Sequence, residues 1–100
     1  MAESAYALLV RLEAAPEKTD ELAAFLESAL PMAEDESGTN TWFALREDTT
    51  TFIIYDTFPT EEARQSHLDG DVASALMAKA DELLASEPDI QELDILAGTH

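Results

Sequence analysis

The sequence has one internal histidine, His67, in the run EEARQSHLDGD at 61–71, and eleven positions before it an acid, Asp56, inside the apolar run TFIIYDTF. An unperturbed imidazole titrates near ~6.5, so His67 is the side chain suited to accepting a proton at neutral pH. Asp56 shares the alternating face of its run with Phe52, Ile54 and Phe58, and a carboxylate buried there without a partner is costly. Asp56 is therefore expected to hold His67, an arginine or a helix terminus, either as a structural pair or to orient His67 as a general base. Asn40, Trp42, Ala44 and Arg46 alternate onto one face of a second run. Trp42 there is a stacking wall for an aromatic substrate or a tryptophan at a dimer core. Tyr55 offers a hydroxyl to a substrate oxygen or sits at a sheet interface.

Other chemistries fit poorly. Ser66 is adjacent to His67, and neighbouring helical residues point about 100° apart, so the two do not form a nucleophile pair. The run Glu34, Asp35, Glu36 lacks the alternating ligands and glycine of a calcium loop and reads as a solvated turn, so no metal site is expected. Three glycines in the whole chain leave no phosphate loop or dinucleotide fingerprint. There is no cysteine, which removes disulfides and thiolate chemistry. His100 is the last residue, where order is not expected.

The elements that must position these residues follow from periodicity. Ala5 to Ala14 alternates as a strand and ends before Pro16. Leu22, Phe25, Leu26, Ala29, Leu30 and Ala33 recur at helical spacing, with acids near the positive end of the helix dipole. Thr39 to Arg46 and Thr51 to Phe58 are aromatic and β-branched runs joined by EDTT, a hairpin. Thr60 caps a short helix that carries His67 and stops near Gly70. Asp71 is expected to cap a last helix with an apolar stripe through Leu76 and Leu83. Ile90 to Ala97 supplies the fourth strand.

This order predicts an α+β fold over residues 1–100 as a single domain: a ferredoxin-like βαββααβ arrangement with a four-stranded antiparallel sheet. Helices then cover one face. The strands are nevertheless apolar on both sides, with Ile53, Tyr55, Phe43 and Leu45 on the second face, and such a patch is too large to leave in water. A homodimer with sheets packed face to face is the expectation. The charge balance, 22 acidic against 5 basic residues and a net −17, repels nucleic-acid phosphates and anionic lipid headgroups, so neither nucleic acid nor membrane is an expected partner. The N-terminal MAESAYALLVRL lacks a basic leader with a long apolar core, which predicts a cytoplasmic location.

The stretch GTNTWFALREDTTTFIIYDTFPTEEARQSHL resembles the antibiotic biosynthesis monooxygenase family: a glycine before strand two, an F-x-I-x-acid-x-aromatic third strand, and a histidine eleven positions after that acid. The resemblance implies a quinol monooxygenase-like dimeric α+β barrel that uses O2 on a small aromatic quinol, anthrone or polyphenol without metal, flavin or haem. On that basis His67 and Asp56 are the implied catalytic pair. Asn40, Trp42, Tyr55 and Arg64, or Arg46 in place of the last, are the implied substrate-binding residues. Similar barrels serve as non-catalytic binders of small aromatic metabolites or as lactone isomerase-like proton-transfer enzymes, and fold likeness does not choose among them. The haem-degrading branch is disfavoured, because strand one carries Ser4 and Tyr6 where that branch has asparagine, and TEEARQSHL has no tryptophan.

Overall fold

A computed structural model describes residues 4–99. The elements run β1 (Tyr6–Glu13), α1 (Thr19–Ser28), α2 (Leu30–Glu34), β2 (Thr41–Arg46), β3 (Thr51–Phe58), α3 (Glu61–Leu68), α4 (Asp71–Leu83) and β4 (Asp89–Asp94). All pairings are antiparallel, in the order β2-β3-β1-β4. This is the ferredoxin-like α+β arrangement, with helices packed on one face of the sheet.

The register fixes what each face carries. Leu8, Val10 and Leu12 stand opposite Asp56, Ile54 and Phe52, and those in turn stand opposite Trp42, Ala44 and Arg46. That face meets the helices, and Val10, Leu12, Phe52 and Ile54 pack with Leu22, Leu26, Leu76 and Leu83 as the core. The other face carries Leu9, Ile53, Tyr55, Phe43, Leu45 and Leu93 and has no helix over it. Phe43 is 52% exposed and Leu45 45%.

The helical stretch after β1 is two helices rather than one. Pro31 lacks an N–H and cannot continue the hydrogen-bond ladder, so α1 closes at Ala29, and Pro31 sits in the first turn of α2. The entry into α1 is a turn closed by Lys18 N–H donating to Ala15 O at 3.0 Å. Glu17 at its third position has φ 65°, the left-handed conformation that a type II turn requires there. Thr60 caps α3 as expected, accepting from Ala63 N at 3.0 Å. Asp71 does not cap α4: Gly70 occupies that position, and no side chain caps the helix. The last strand ends at Asp94, short of the expected Ala97. His100 lies outside the described residues.

Among the described residues no helix is long and apolar enough to cross a membrane.

Candidate active site

The site is built where three segments distant in sequence converge on the helix-covered face of β3. Asp56 sits between Ile54 and Phe58 and is 0% exposed. It stands opposite Leu8 on one side and Trp42 on the other. Arg64 and His67 are three apart on α3 and therefore leave the same side of the helix. Both point at the sheet and both are buried. His67 reaches β3, where its Nε2 lies 2.8 Å from Asp56 Oδ2 and its ring packs tilted against Phe58 at 5.3 Å between centroids. At that distance the two groups form a close pair that favours the charged form of each.

The other ring nitrogen is held by Glu36. His67 Nδ1 donates to Glu36 Oε1, which also accepts from Thr39 Oγ1 at 2.9 Å. The expectation of a solvated Glu34-Asp35-Glu36 turn thus fails at its last residue. The backbone explains how the loop gets there. Gly38 passes so close to α3 that a Cβ on it would lie 3.0 Å from Ala63 Cβ, and a Cβ on Gly70 would lie 3.2 Å from Glu36 Oε2. Two glycines leave the room that a carboxylate then fills. The spacing of Glu36 and Gly38 was the available signal, but a single acid in an acidic run carries no mark of which residue turns inward.

Electrostatics follow from this sandwich. Burial pulls the His67 pKa down, but the carboxylates of Asp56 and Glu36 outweigh it and hold the imidazole above its ordinary value of 6.5. Burial pushes Asp56 above the ordinary 3.8, and His67 opposes that rise only in part. Each imidazole nitrogen of His67 faces a carboxylate, Nε2 that of Asp56 and Nδ1 that of Glu36. The expected pairing of His67 with Asp56 is present, and Glu36 joins it from the other side.

The candidate substrate residues do not form one group. Trp42 faces the helices and lines a cleft of about 300 Å³ with Leu30, Ala33 and Glu34 of α2 and with Thr39 and Asn40. Its indole Nε1 is buried without a hydrogen-bond partner. A smaller cleft of about 160 Å³ continues along β2, lined by Ala44, Arg46 and Phe52 against Leu26 of α1. Arg46 lies over the Phe52 ring at 4.8 Å. Asn40 borders the larger cleft, but its side-chain amide donates to Ser4 Oγ at 2.9 Å. Tyr55 lies on the opposite face of the sheet, because it alternates with Asp56, and it does not meet Trp42 or His67.

Arg64 is a fastener between elements. Its guanidinium donates to Leu93 O at 3.1 Å and Ala7 O at 3.4 Å, pairs with Glu92 at 3.3 Å and covers the Tyr6 ring at 5.2 Å. It ties α3 to β1 and β4, on the far side of Asp56 from β2, so Arg46 is the arginine that shares the Trp42 face. Among the described residues no group of three or more His, Cys, Asp or Glu side chains is arranged to hold a metal ion.

The strand order and the helices on one face of the sheet define the class: the chain has the antibiotic biosynthesis monooxygenase-like fold. It is similar to a candidate antibiotic biosynthesis monooxygenase from Chloroflexus aurantiacus, at 20% identity over 97% of this chain and 98% of that one with a TM-score of 0.75. It is also similar to one from Nitrosomonas europaea, at 16% identity over 92% and 99% with a TM-score of 0.82. A third structure, the NE2512 protein of unknown function from Nitrosomonas europaea, is 49% identical over 97% of this chain and 94% of its own, with a TM-score of 0.95. The chain belongs to one family with NE2512. No protein-family model and no curated protein matches it.

Proposed function

We propose that the protein is a cofactor-independent monooxygenase that oxidises a small electron-rich aromatic, a quinol or an anthrone, and works as a homodimer. The observation that carries this reading is the cleft beside Trp42. It is walled by Leu30, Ala33 and Glu34 of α2 and by an indole that suits ring stacking, carried on the strand position opposite Asp56. An anthrone methylene gives a ketone and water with one O2, so substrate electrons balance the reduction of oxygen. The protein's part is to bind the ring, exclude water and favour the electron-rich form of the substrate. The names of the monooxygenase-like structures support the same reading. The open apolar face of the sheet, with Phe43 and Leu45 half exposed, supports the dimer.

A second reading, a non-catalytic barrel that binds a small aromatic metabolite, is favoured by one observation: both nitrogens of His67 are occupied. The same observation disfavours a lactone isomerase-like enzyme, which needs a free imidazole to move a proton. Oxygen consumption with anthrone and 1,4-dihydroxynaphthalene, together with quenching of the one tryptophan's fluorescence, separates these readings. Saturable uptake above autoxidation that is lost in Trp42→Ala supports the monooxygenase. Saturable quenching without uptake supports the binder, and neither response would refute both.

A further inference from the structure

The loop between α2 and β2 meets α3 at an imidazole that is already engaged elsewhere. His67 Nδ1 contacts Glu36 Oε1 of the loop, and His67 Nε2 lies 2.8 Å from Asp56 Oδ2 of β3. An approach of nitrogen to oxygen that close sets lone pair against lone pair unless a proton lies between them. Two contacts therefore need two protons, wherever each one sits. An imidazolium between two carboxylates meets the count, and so does a neutral imidazole between a carboxylic acid and a carboxylate. With one proton, only one contact holds. The two acids are not equally free to leave. Asp56 is 0% exposed on a strand paired on both sides, whereas Glu36 sits on a loop, with 18% of its side chain exposed and its Oε2 without a hydrogen-bond partner.

We propose that Asp56, His67 and Glu36 form a two-proton clasp, and that loss of one proton releases Glu36 and the loop it holds. The other charged groups around the imidazole act in the same sense. Asp35 of the loop and Asp71 of α4 line a cleft of about 330 Å³ that His67 and Glu36 also line, and both acids favour a proton on the ring. Arg64, three residues before His67 on α3, is engaged with Ala7 O, Leu93 O and Glu92. The His67 pKa is raised above the ordinary 6.5, so the clasp is closed below that value and opens as pH rises through the higher one. The loop matters to more than its own packing. Thr39 lines this cleft and the Trp42 cleft as well, and its Oγ1 donates to Glu36 Oε1. Opening the clasp frees the wall that the two clefts share. Glu36 and His67 are thus positioning residues for the Trp42 cleft, whatever enters it.

The test needs no ligand. NMR on the full chain carrying His100→Gln, which leaves one imidazole, follows the His67 ring from about pH 5.5 to 9.5, a range above the ordinary titration of Asp and Glu carboxyls. The state of the loop is read from the cross-peak between the Gly38 α-protons and the Ala63 methyl, which reports the close approach of loop and α3 and involves no proton that exchanges with water. That cross-peak is expected to be lost as the ring titrates, with one shared midpoint above 6.5. Glu36→Gln separates a proton clasp from mere packing. Its carboxamide can accept from a ring N–H or donate to a ring lone pair, so the contact survives either proton count, and the cross-peak is expected to persist across the range while His67 still titrates. A cross-peak that persists unchanged while the ring titrates in the chain with Glu36 intact would overturn the proposal. So would the same pH-dependent loss in Glu36→Gln, or an imidazole that does not titrate in this range. The course with Glu36 intact decides the matter even where Glu36→Gln fails to fold.

Discussion

Replacing His67 by alanine removes the counterion of a carboxylate that has no access to water. Asp56 is 0% exposed, and the residues around it on its face, Leu8, Ile54 and Phe58, are all buried and apolar. It cannot turn to solvent and must either stay charged or take up a proton. Breaking a buried ion pair costs about 3–5 kcal/mol. Protonation sets a ceiling. Starting from an ordinary value of 3.8, neutralising an aspartate at pH 7 costs about 4.4 kcal/mol at 1.36 kcal/mol per unit, and at pH 5 about 1.6 kcal/mol. Glu36 adds little, because its side chain keeps some exposure to water. The expected loss in His67→Ala is therefore about 3–4 kcal/mol at pH 7, shrinking by about half at pH 5. At 4–8 °C per kcal/mol for a domain of this size, a loss of 3 kcal/mol lowers Tm by roughly 12–24 °C. Urea unfolding at both pH values measures it, with the m-value checked for constancy. Adding Asp56→Asn to His67→Ala should recover part of the loss, since a buried amide is less costly than an uncompensated charge. A loss below about 1 kcal/mol, or a deficit that grows in acid, would refute the reasoning.

Other outcomes follow from the same structure. In the wild type the folded pKa of His67 is raised, so its contribution is fully present below 6.5 and is lost as pH rises through the higher folded value. Denaturation midpoints between pH 6 and 9 should therefore fall with pH, and His67→Gln should remove most of that slope. Glu17→Gly relieves a left-handed residue in the turn before α1 and should stabilise by about 0.5–1 kcal/mol, read as a rise in Tm. Gly38→Ala drives a Cβ against Ala63 and should cost about 1–3 kcal/mol, with no loss indicating that the loop does not rest on α3. Phe43→Asp places a charge on the open sheet face and should make the proposed dimer monomeric in sedimentation; a dimer that persists would move the interface elsewhere.

Alternation and helical spacing carried the element order, and Thr51 to Phe58 matched β3 at both ends, because its β-branched and aromatic residues are bounded by polar turns. Pro31 was the residue that periodicity alone passed over: the apolar spacing continues through it although the hydrogen-bond ladder cannot. The pairing of Asp56 with His67 was legible because an acid on an apolar face demands a partner and only one internal histidine was available. Glu36 was not, since its inward turn depends on Gly38 meeting Ala63 across the fold. Arg64 and Arg46 could not be told apart by type. Only the packing of α3 across β1 and β4 gives one to the backbone carbonyls and leaves the other on the Trp42 face.

The order β2-β3-β1-β4 leaves β2 hydrogen-bonded on one side only. Trp42 and Arg46 are thus carried by an edge strand, paired on one side alone, whereas Asp56 lies on an inner strand gripped from both sides. A displacement of β2 away from α1 and α2 widens the cleft without disturbing Leu12, Leu22 or Ile54. Whatever enters beside Trp42 meets an edge strand that can yield, with β3 held fixed behind it.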